Sequence, residues 1–419
     1  MKCIVIFSAT TGYQLRAFDA AAGRLGIDLR LATDRCSVLD DPWRDHAVPV
    51  RFHDPEASLF GLVENLGAAP VHGVIAVGDR PTVLAARLAE RYGIPWHPPA
   101  AADACRHKAT TRARLAAAGL PAPWFEVVQV DRPERVPADV RFPCVVKPVA
   151  LSGSRGVMRA DSPAELAACL SRLRRILETA DVRAMRDGET GTAIIEGFIP
   201  GREFAVEGVI DHGRVHRLAV FDKPDPLDGP FFEETIYVTP SSASPETLTA
   251  IDAAVAQACR ALGLWHGPFH AECRVSGLQV FVLEVAARPI GGLCARALRF
   301  SQAGAGDMGL EELLLRHAAG LPWRDRALVS GASGVMMIPI PAAGVFRGLD
   351  GEAEALAVPG VTDLQVTAKL EQMLLPLPEG ATYLGFLFAE GSSPREVERT
   401  LRLAHARLRV RLDQPIPMV

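Results

Sequence analysis

What most narrows the folding options of this 419-residue chain is the alternation of apolar strands with amphipathic helices up to Tyr92. Strand-like runs at Cys3 to Phe7, Leu29 to Ala32 and Gly73 to Val77 alternate with helical patterns near Gln14 to Leu25, Ala57 to Asn65 and Pro81 to Tyr92. That rhythm predicts βαβ units and a parallel sheet. The strand ends Ser8-Ala9-Thr10-Thr11-Gly12 and Gly78-Asp79-Arg80 open into helices, which is where open α/β sheets bind ligands. Neither completes G-x-G-x-x-G, so no dinucleotide is inferred. The Pro-rich segment Ile94-Pro95-Trp96-His97-Pro98-Pro99 closes this first unit.

Beyond it the pattern changes. Residues 101–140 hold a helical stretch carrying Lys108 and Arg112, ended by Gly119-Leu120-Pro121. Short strands and helices follow to about residue 325. A third segment has strands at Gly334 to Ile338, Val361 to Leu364 and Leu384 to Ala389. It closes with a helix from Pro394 to Leu408, capped by Ser392-Ser393-Pro394-Arg395-Glu396. A chain of this length holds two or three domains. Hydrophobic residues are 49% of it, yet no uncharged apolar run approaches a membrane span, and Met1-Lys2-Cys3 leads straight into a strand. The formal net charge of -4 gives a nucleic-acid partner little support. Eight cysteines without a C-x-x-C pair fit reduced thiols in a cytoplasm. Trp96, Trp124 and Trp265 read as core residues.

Chemistry concentrates in a few segments. Two apolar runs flank Ser276-Gly277, so the stretch from His270 to Arg288 reads as a β-hairpin with Glu272 on one strand and Glu284 on the other. Opposed side chains there sit roughly 5 Å apart, close enough to share a divalent cation. Hard oxygen ligands favour Mg²⁺. Taken alone, the hairpin also reads as two solvated carboxylates. Earlier, the strand Cys144-Val145-Val146-Lys147-Pro148 leads into the small-residue loop Val149 to Val157, whose Ser152, Gly153, Ser154 and Gly156 let backbone N–H groups turn toward a phosphate. Lys147 stands at its base as a compact positive charge. The segment lacks the G-K-[ST] ending and, in isolation, also reads as a hairpin turn with a surface lysine. Glu196 ends a strand before Phe198 and Ile199, where an adenine edge can pair, and Glu203 is placed to accept from ribose hydroxyls.

The order of these elements (lysine, lysine with glycine loop, two-acid hinge, two-acid hairpin, arginine) resembles the ATP-grasp superfamily of carboxylate-amine ligases. In detail the chain is similar to bacterial L-amino acid ligases that make dipeptides, through Pro230-Phe231-Phe232-Glu233-Glu234-Thr235 with Pro240 beyond, His270-Ala271-Glu272 and Glu284-Val285-Ala286-Ala287-Arg288. The resemblance implies a Rossmann-like domain over 1–100, an ATP-grasp domain of two α+β subdomains over 101–325 with its small lid at about 130–200, and a C-terminal α+β domain over 326–419. It also implies ATP and Mg²⁺, with Mn²⁺ as an alternative and the number of ions open. Lys108 and Lys147 would touch ATP phosphates beneath the 152–156 loop. Glu196, Phe198 and Ile199 would hold adenine, Glu203 the ribose, and Glu272 with Glu284 the metal. Arg288 would grip the carboxylate that becomes an acyl phosphate, and Glu234 the substrate's amino group. Tyr237, His270, Gly291 and Gly292 mark the substrate region. Two positions depart from the pattern: Ala286 stands where many members have Asn, and Tyr237 where the dipeptide-forming pattern has His. Small-molecule substrates, a cytoplasmic homodimer and neither membrane nor nucleic acid are expected. Rival readings are a purine-pathway ligase, a biotin-dependent carboxylase, or a nucleotide-binding protein without turnover.

Overall fold

The computed structural model describes the chain except residues 10–12, 35–46, 133–138, 187, 190, 303–304 and 414–419. Strands β1 (Lys2–Ser8), β2 (Ile27–Thr33), β3 (Ala47–Pro49) and β4 (Gly73–Val77) form a parallel sheet in the order β3-β2-β1-β4. Helices α1 (Tyr13–Leu25), α2 (Pro55–Leu66) and α3 (Thr82–Tyr92) connect or follow them. Ile4, Val5, Ile6 and Phe7 have no exposed surface, as a central parallel strand covered on both faces requires. The α/β pattern at the N-terminus is therefore present as expected. Part of the expected turn at Ser8 to Gly12 lies outside the described residues.

Helices α4 (Pro99–Arg106) and α5 (Lys108–Ala117) replace the single helical stretch expected after residue 101. The break is at His107, whose extended backbone ends α4 and whose Nδ1 accepts the Thr110 N–H to cap α5. Next come β5 (Phe125–Gln129), β6 (Cys144–Pro148), β7 (Met158–Ala160), α6 (Pro163–Leu177), α7 (Ala180–Ala184) and β8 (Thr192–Gly197). Their four strands form an antiparallel sheet, β5-β8-β6-β7. Leu166, Leu170, Leu173 and Leu177 of α6 recur at helical spacing and pack with Val146 and Ile195 beneath them.

The chain continues through β9 (Arg202–Asp211), β10 (Arg214–Lys223), β11 (Ile236–Thr239), α8 (Pro245–Leu262), β12 (Gly267–Ser276), β13 (Gln279–Ala286), β14 (Arg299–Gln302), β15 (Ala305–Gly309) and α9 (Leu310–Ala318). It ends with β16 (Ala327–Leu328), β17 (Ala332–Ile338), β18 (Gly344–Asp350), α10 (Glu352–Leu356), β19 (Val361–Val366), β20 (Met373–Leu374), β21 (Gly385–Gly391), α11 (Pro394–His405) and β22 (Arg409–Asp413). Eight of these strands make one antiparallel sheet, β13-β12-β9-β10-β11-β17-β21-β19. The sheet passes from β11 to β17 without a break, so strands on both sides of residue 326 share it. The Ser393 hydroxyl accepts from Glu396 N–H while the Glu396 carboxylate accepts from Ser392 N–H, closing the N-terminus of α11 as its sequence implies.

One tryptophan departs from expectation. Trp96 is buried, but Trp265 is 49% exposed and lies edge-on to the His212 ring. It follows the Gly263 turn that ends α8, where the chain is still at the surface. Among the described residues the cysteines are all free thiols, and no helix is long and apolar enough to cross a membrane.

Candidate active site

The period of two along a strand decides which side chains meet over the large sheet. On β12, Ala271 and Cys273 face the core, while His270, Glu272 and Arg274 face the other way. Register then sets their neighbours. On β13, Glu284 lies directly opposite Glu272, with a bulge after Glu272. On β9, Glu207 is level with His270 and Glu203 with Arg274, and on β10 Lys223 is level with Glu203. Cross-strand neighbours of opposite charge thus form a row, Arg274–Glu203–Lys223, spanning three strands.

Lys223 is the hub of this face. Its Nζ is 2.8 Å from Glu203, 2.5 Å from Glu234 and 3.2 Å from Glu272. It also lies 4.9 Å from the centroid of the buried Tyr237 ring. Burial works against the ammonium, but these three carboxylates hold its pKa well above the usual lysine range. Oxygens of Glu203, Glu234 and Glu272 fall within 4.8 Å of one another. Burial, and then the charge of Glu272, pushes Glu234 up to about 7, with Lys223 opposing. Burial acts to raise Glu272 too, but there Lys223 and His270 prevail and keep it well below the ordinary carboxylate range. His270 Nδ1 is 3.0 Å from Glu207 and its Nε2 3.6 Å from Glu272. Burial opposes its protonation, yet the two carboxylates lift it to about 9, so His270 is cationic at neutral pH.

A second cluster lies where the small sheet meets α5. Both oxygens of Glu196 are occupied: Arg112 donates to them at 2.8 and 3.2 Å, and Lys147 Nζ is 2.5 Å away. Burial favours the neutral acid, but the two cations hold its pKa down at about 2. The carboxylate expected against adenine is therefore the centre of an ion-pair bridge joining α5, β6 and β8. Arg112 carries the bridge onward by donating to the Val282 and Leu283 carbonyls of β13. Lys108, the first residue of α5, reaches the other way; its Nζ donates to the Leu151 carbonyl at 2.5 Å and lies 3.9 Å from Glu284.

Arg288, just beyond β13, donates two hydrogen bonds to Asp79 at 2.9 and 3.0 Å. Asp79 follows β4, so the parallel sheet supplies an anchor for a guanidinium that the large sheet presents. Burial would neutralise both partners; each instead keeps the other charged, with Asp79 lowered and Arg288 raised.

One cavity of about 420 Å³ unites these groups. Its lining includes Lys108, Lys147, Ser152, Gly153, Ser154, Glu196, Phe198, Ile199 and Glu203. Glu234, Tyr237, His270, Glu272, Glu284, Arg288, Gly291 and Gly292 line it as well. Gly156 lies outside. Its N–H donates to the Pro378 carbonyl, and a Cβ there would come within 2.8 Å of Leu173, so this glycine serves a close backbone approach. Sequence reasoning does not reach Lys223, Arg274 or Glu207 as site residues, and it marks Asp79 only as part of the strand end Gly78-Asp79-Arg80, not as the partner of Arg288. Lys223 has a signal all the same: a lysine ends the apolar run Ala219-Val220-Phe221, in phase with no solvated face.

Known proteins share parts of this sequence and its fold. Family models match residues 18–96 as the ATP-grasp N-terminal domain, 140–297 as the ATP-grasp domain, and 336–413 as L-amino acid ligase C-terminal domain 2. The crystal structure of an L-amino acid ligase from Bacillus licheniformis superposes with a TM-score of 0.82 at 27% identity, covering 99% of both chains. Carnosine synthase 1 of Gallus gallus is 31% identical over 253 residues, 58% of this chain but only 27% of that protein. Formate-dependent phosphoribosylglycinamide formyltransferase of Rhodococcus jostii is 31% identical over 381 residues, 84% of each chain. With a relative matched along most of both chains, and most of the cavity lining inside the matched regions, this chain belongs to the ATP-grasp family of carboxylate-amine ligases.

Proposed function

We propose that the chain is an ATP-dependent ligase that activates the carboxylate of an amino acid, or a related acid, as an acyl phosphate and condenses it with an amine. The observation that carries this reading is that a single cavity is lined both by residues of the small-residue loop with Lys108 and Lys147 and by Arg288, Glu234 and His270. A carboxylate does not react with an amine at neutral pH because its leaving group would be an oxide. Moving the γ-phosphoryl group of ATP onto a carboxylate oxygen breaks the bond to ADP and gives a phosphate leaving group. The amine nitrogen then bonds to the carbonyl carbon, phosphate departs, and the nitrogen loses a proton.

Each residue does a part of this by charge and position. Lys108 and Lys147 neutralise the nucleotide phosphates, and the 152–154 backbone lies over them. Arg288, held in place by Asp79, orients the acyl carboxylate. Glu234, whose proton affinity lies near neutrality, accepts a hydrogen bond or a proton from the substrate's amino group. The main chain at Phe198 and Ile199, rather than the engaged Glu196 carboxylate, supports the base. The crowding of Glu203, Glu234 and Glu272 fits residues built to face a divalent cation, with Glu272 and the opposed Glu284 as its holders. Bound there, Mg²⁺ would spread the charge that develops on the phosphates.

The relative matched over most of its length favours one other reading, in which formate is the acid and a phosphoribosylglycinamide the amine. A phosphate-release screen over amino acid pairs with ATP, followed by mass measurement, separates the two. The proposal expects release with at least one pair and a product equal to the two acids less water. Release only with formate and phosphoribosylglycinamide selects the second reading, and nucleotide binding without release across both panels overturns both.

A further inference from the structure

At the end of β9 remote from Glu203, three distant elements bring metal-ligating atoms together. Asp211 ends β9, His266 lies between α8 and β12, and His317 stands in the last turn of α9. One carboxylate oxygen and one nitrogen from each ring fall within 4.8 Å of one another. Asp211 Oδ1 is 3.4 Å from His266 Nδ1 and 3.8 Å from His317 Nε2. Those separations are close to the roughly 3.3 Å edge of a tetrahedron of nitrogen and oxygen ligands around Zn²⁺. The two imidazoles stack face to face, with 4.2 Å between centroids and 24° between ring planes, which holds the two rings next to each other.

His317 makes the case specific. It is 4% exposed, and its Nε2 has no hydrogen-bond partner although it faces the Asp211 carboxylate. A buried ring nitrogen is normally satisfied, and coordination is one way to satisfy it. Arg324 pairs with the other oxygen, Oδ2. Oδ1 also meets His212 Nδ1 at 2.8 Å, and the His212 backbone N–H donates to His266 Nδ1 at 3.4 Å, so a bound ion would take the place of His212 at both atoms.

We propose that Asp211, His266 and His317 form a binding site for a first-row divalent ion of Zn²⁺ type, separate from the ligase cavity, that ties β9, the α8–β12 link and α9 together. Two imidazoles with one carboxylate suit this borderline ion better than Mg²⁺. The inference does not depend on the proposed reaction.

The untagged protein, stripped with a chelator and kept in excess Mg²⁺ to occupy carboxylates, is titrated with Co²⁺. Expected are one equivalent of uptake, visible bands of a four-coordinate ion, and displacement by Zn²⁺. Asp211→Asn and His317→Gln should each weaken uptake by roughly tenfold or more. Glu272→Gln, in the cavity, should not. Absence of the bands, their survival in both variants, or their loss in Glu272→Gln overturns the site. Should either variant fail to fold, Cu²⁺ bound to the wild-type protein decides the matter: electron paramagnetic resonance lines split by imidazole nitrogens support the site, and a spectrum without nitrogen splitting overturns it.

Discussion

A buried lysine touching three carboxylates is stable only because the charges were brought together in pairs, and Lys223 shows what removing one member does. Lys223→Met would leave Glu234 without its cation, and Glu203 and Glu272 with only Arg274 and His270 beside them. Breaking a buried ion pair by deleting one partner typically costs about 3–5 kcal/mol. Urea unfolding at neutral pH should show a loss of that order, and an unchanged midpoint would sink the hub assignment. Arg288 tests function at the same scale. In the proposed reaction its loss takes a positive charge from the site of carboxylate activation, and a loss of that kind typically lowers turnover by about 10²- to 10³-fold. Arg288→Ala and Glu284→Ala should each lose phosphate release on that scale while keeping a wild-type far-ultraviolet spectrum; near-normal turnover in either refutes its role. Most of the side chains that sequence order picks out do line one cavity, because each sits beside a local signal such as a glycine loop or a hairpin turn. Lys223, Arg274 and Glu207 are not legible in that way, since their partners lie across strands and register is not written in any local segment. The ion-pair bridge at Glu196 is hidden for the same reason: nothing near it in sequence announces that Arg112 will donate to its oxygens.

At the scale of elements, the joints between strands and helices carry the constraints. The turn from β8 to β9 passes through Gly201, with φ of +119° and a backbone so close to the Val275 carbonyl that a Cβ would collide with its oxygen. Gly201→Ala therefore meets both a disfavoured backbone region and a backbone clash, and should cost about 2–4 kcal/mol by thermal or urea unfolding. A loss below about 0.5 kcal/mol would mean the turn relaxes freely. His97 is a second joint, linking the segment after α3 to the start of β12. Its Nε2 is 2.9 Å from the Pro268 carbonyl and its Nδ1 accepts the Trp265 N–H. Burial chiefly lowers its pKa, to about 4, so the folded chain holds this ring neutral while the unfolded chain protonates it near 6.5. Its contribution is thus intact above pH 6.5 and falls as the pH drops toward 4. Between about pH 7 and pH 5 that single group should remove about 2 kcal/mol of stability. His97→Gln should lose less than the wild type over the same interval, and equal losses would contradict the assignment. The three helices and the strands β1, β2 and β4 of the first 92 residues are legible because each carries its own period and its own turn, whereas the three-residue β3 is too short to show one. The break at His107 is not, because it rests on one side-chain cap inside a segment that is helical on both sides.

For the whole molecule, the question is what keeps the small sheet over the cavity. The large sheet could not be read from sequence, since β11 and β17 pair across nearly a hundred residues of intervening chain and no local pattern encodes the match. That continuity has a consequence: the segment before β21 is carried back to the 151–157 loop. Arg172 of α6 donates to both oxygens of Glu379, at 2.6 and 2.8 Å. Arg155 donates to the Glu379 carbonyl, and the Gly156 N–H to the carbonyl of Pro378. These contacts hold the 151–157 loop from the C-terminal segment. The Arg172–Glu379 pair is about one-third exposed on each side, so water screens it and its worth to global stability is at most about 1 kcal/mol. Its worth to loop position is larger in effect, because each kcal/mol taken from the closed arrangement weakens binding to it by roughly fivefold. Glu379→Ala should therefore leave the unfolding midpoint nearly unchanged while raising KM for ATP by roughly fivefold at similar turnover. Steady-state kinetics with varied ATP, beside an unfolding curve, distinguishes the outcomes. A large fall in stability would make the pair a structural strut, and an unaltered KM would release the loop from any control by the C-terminal segment.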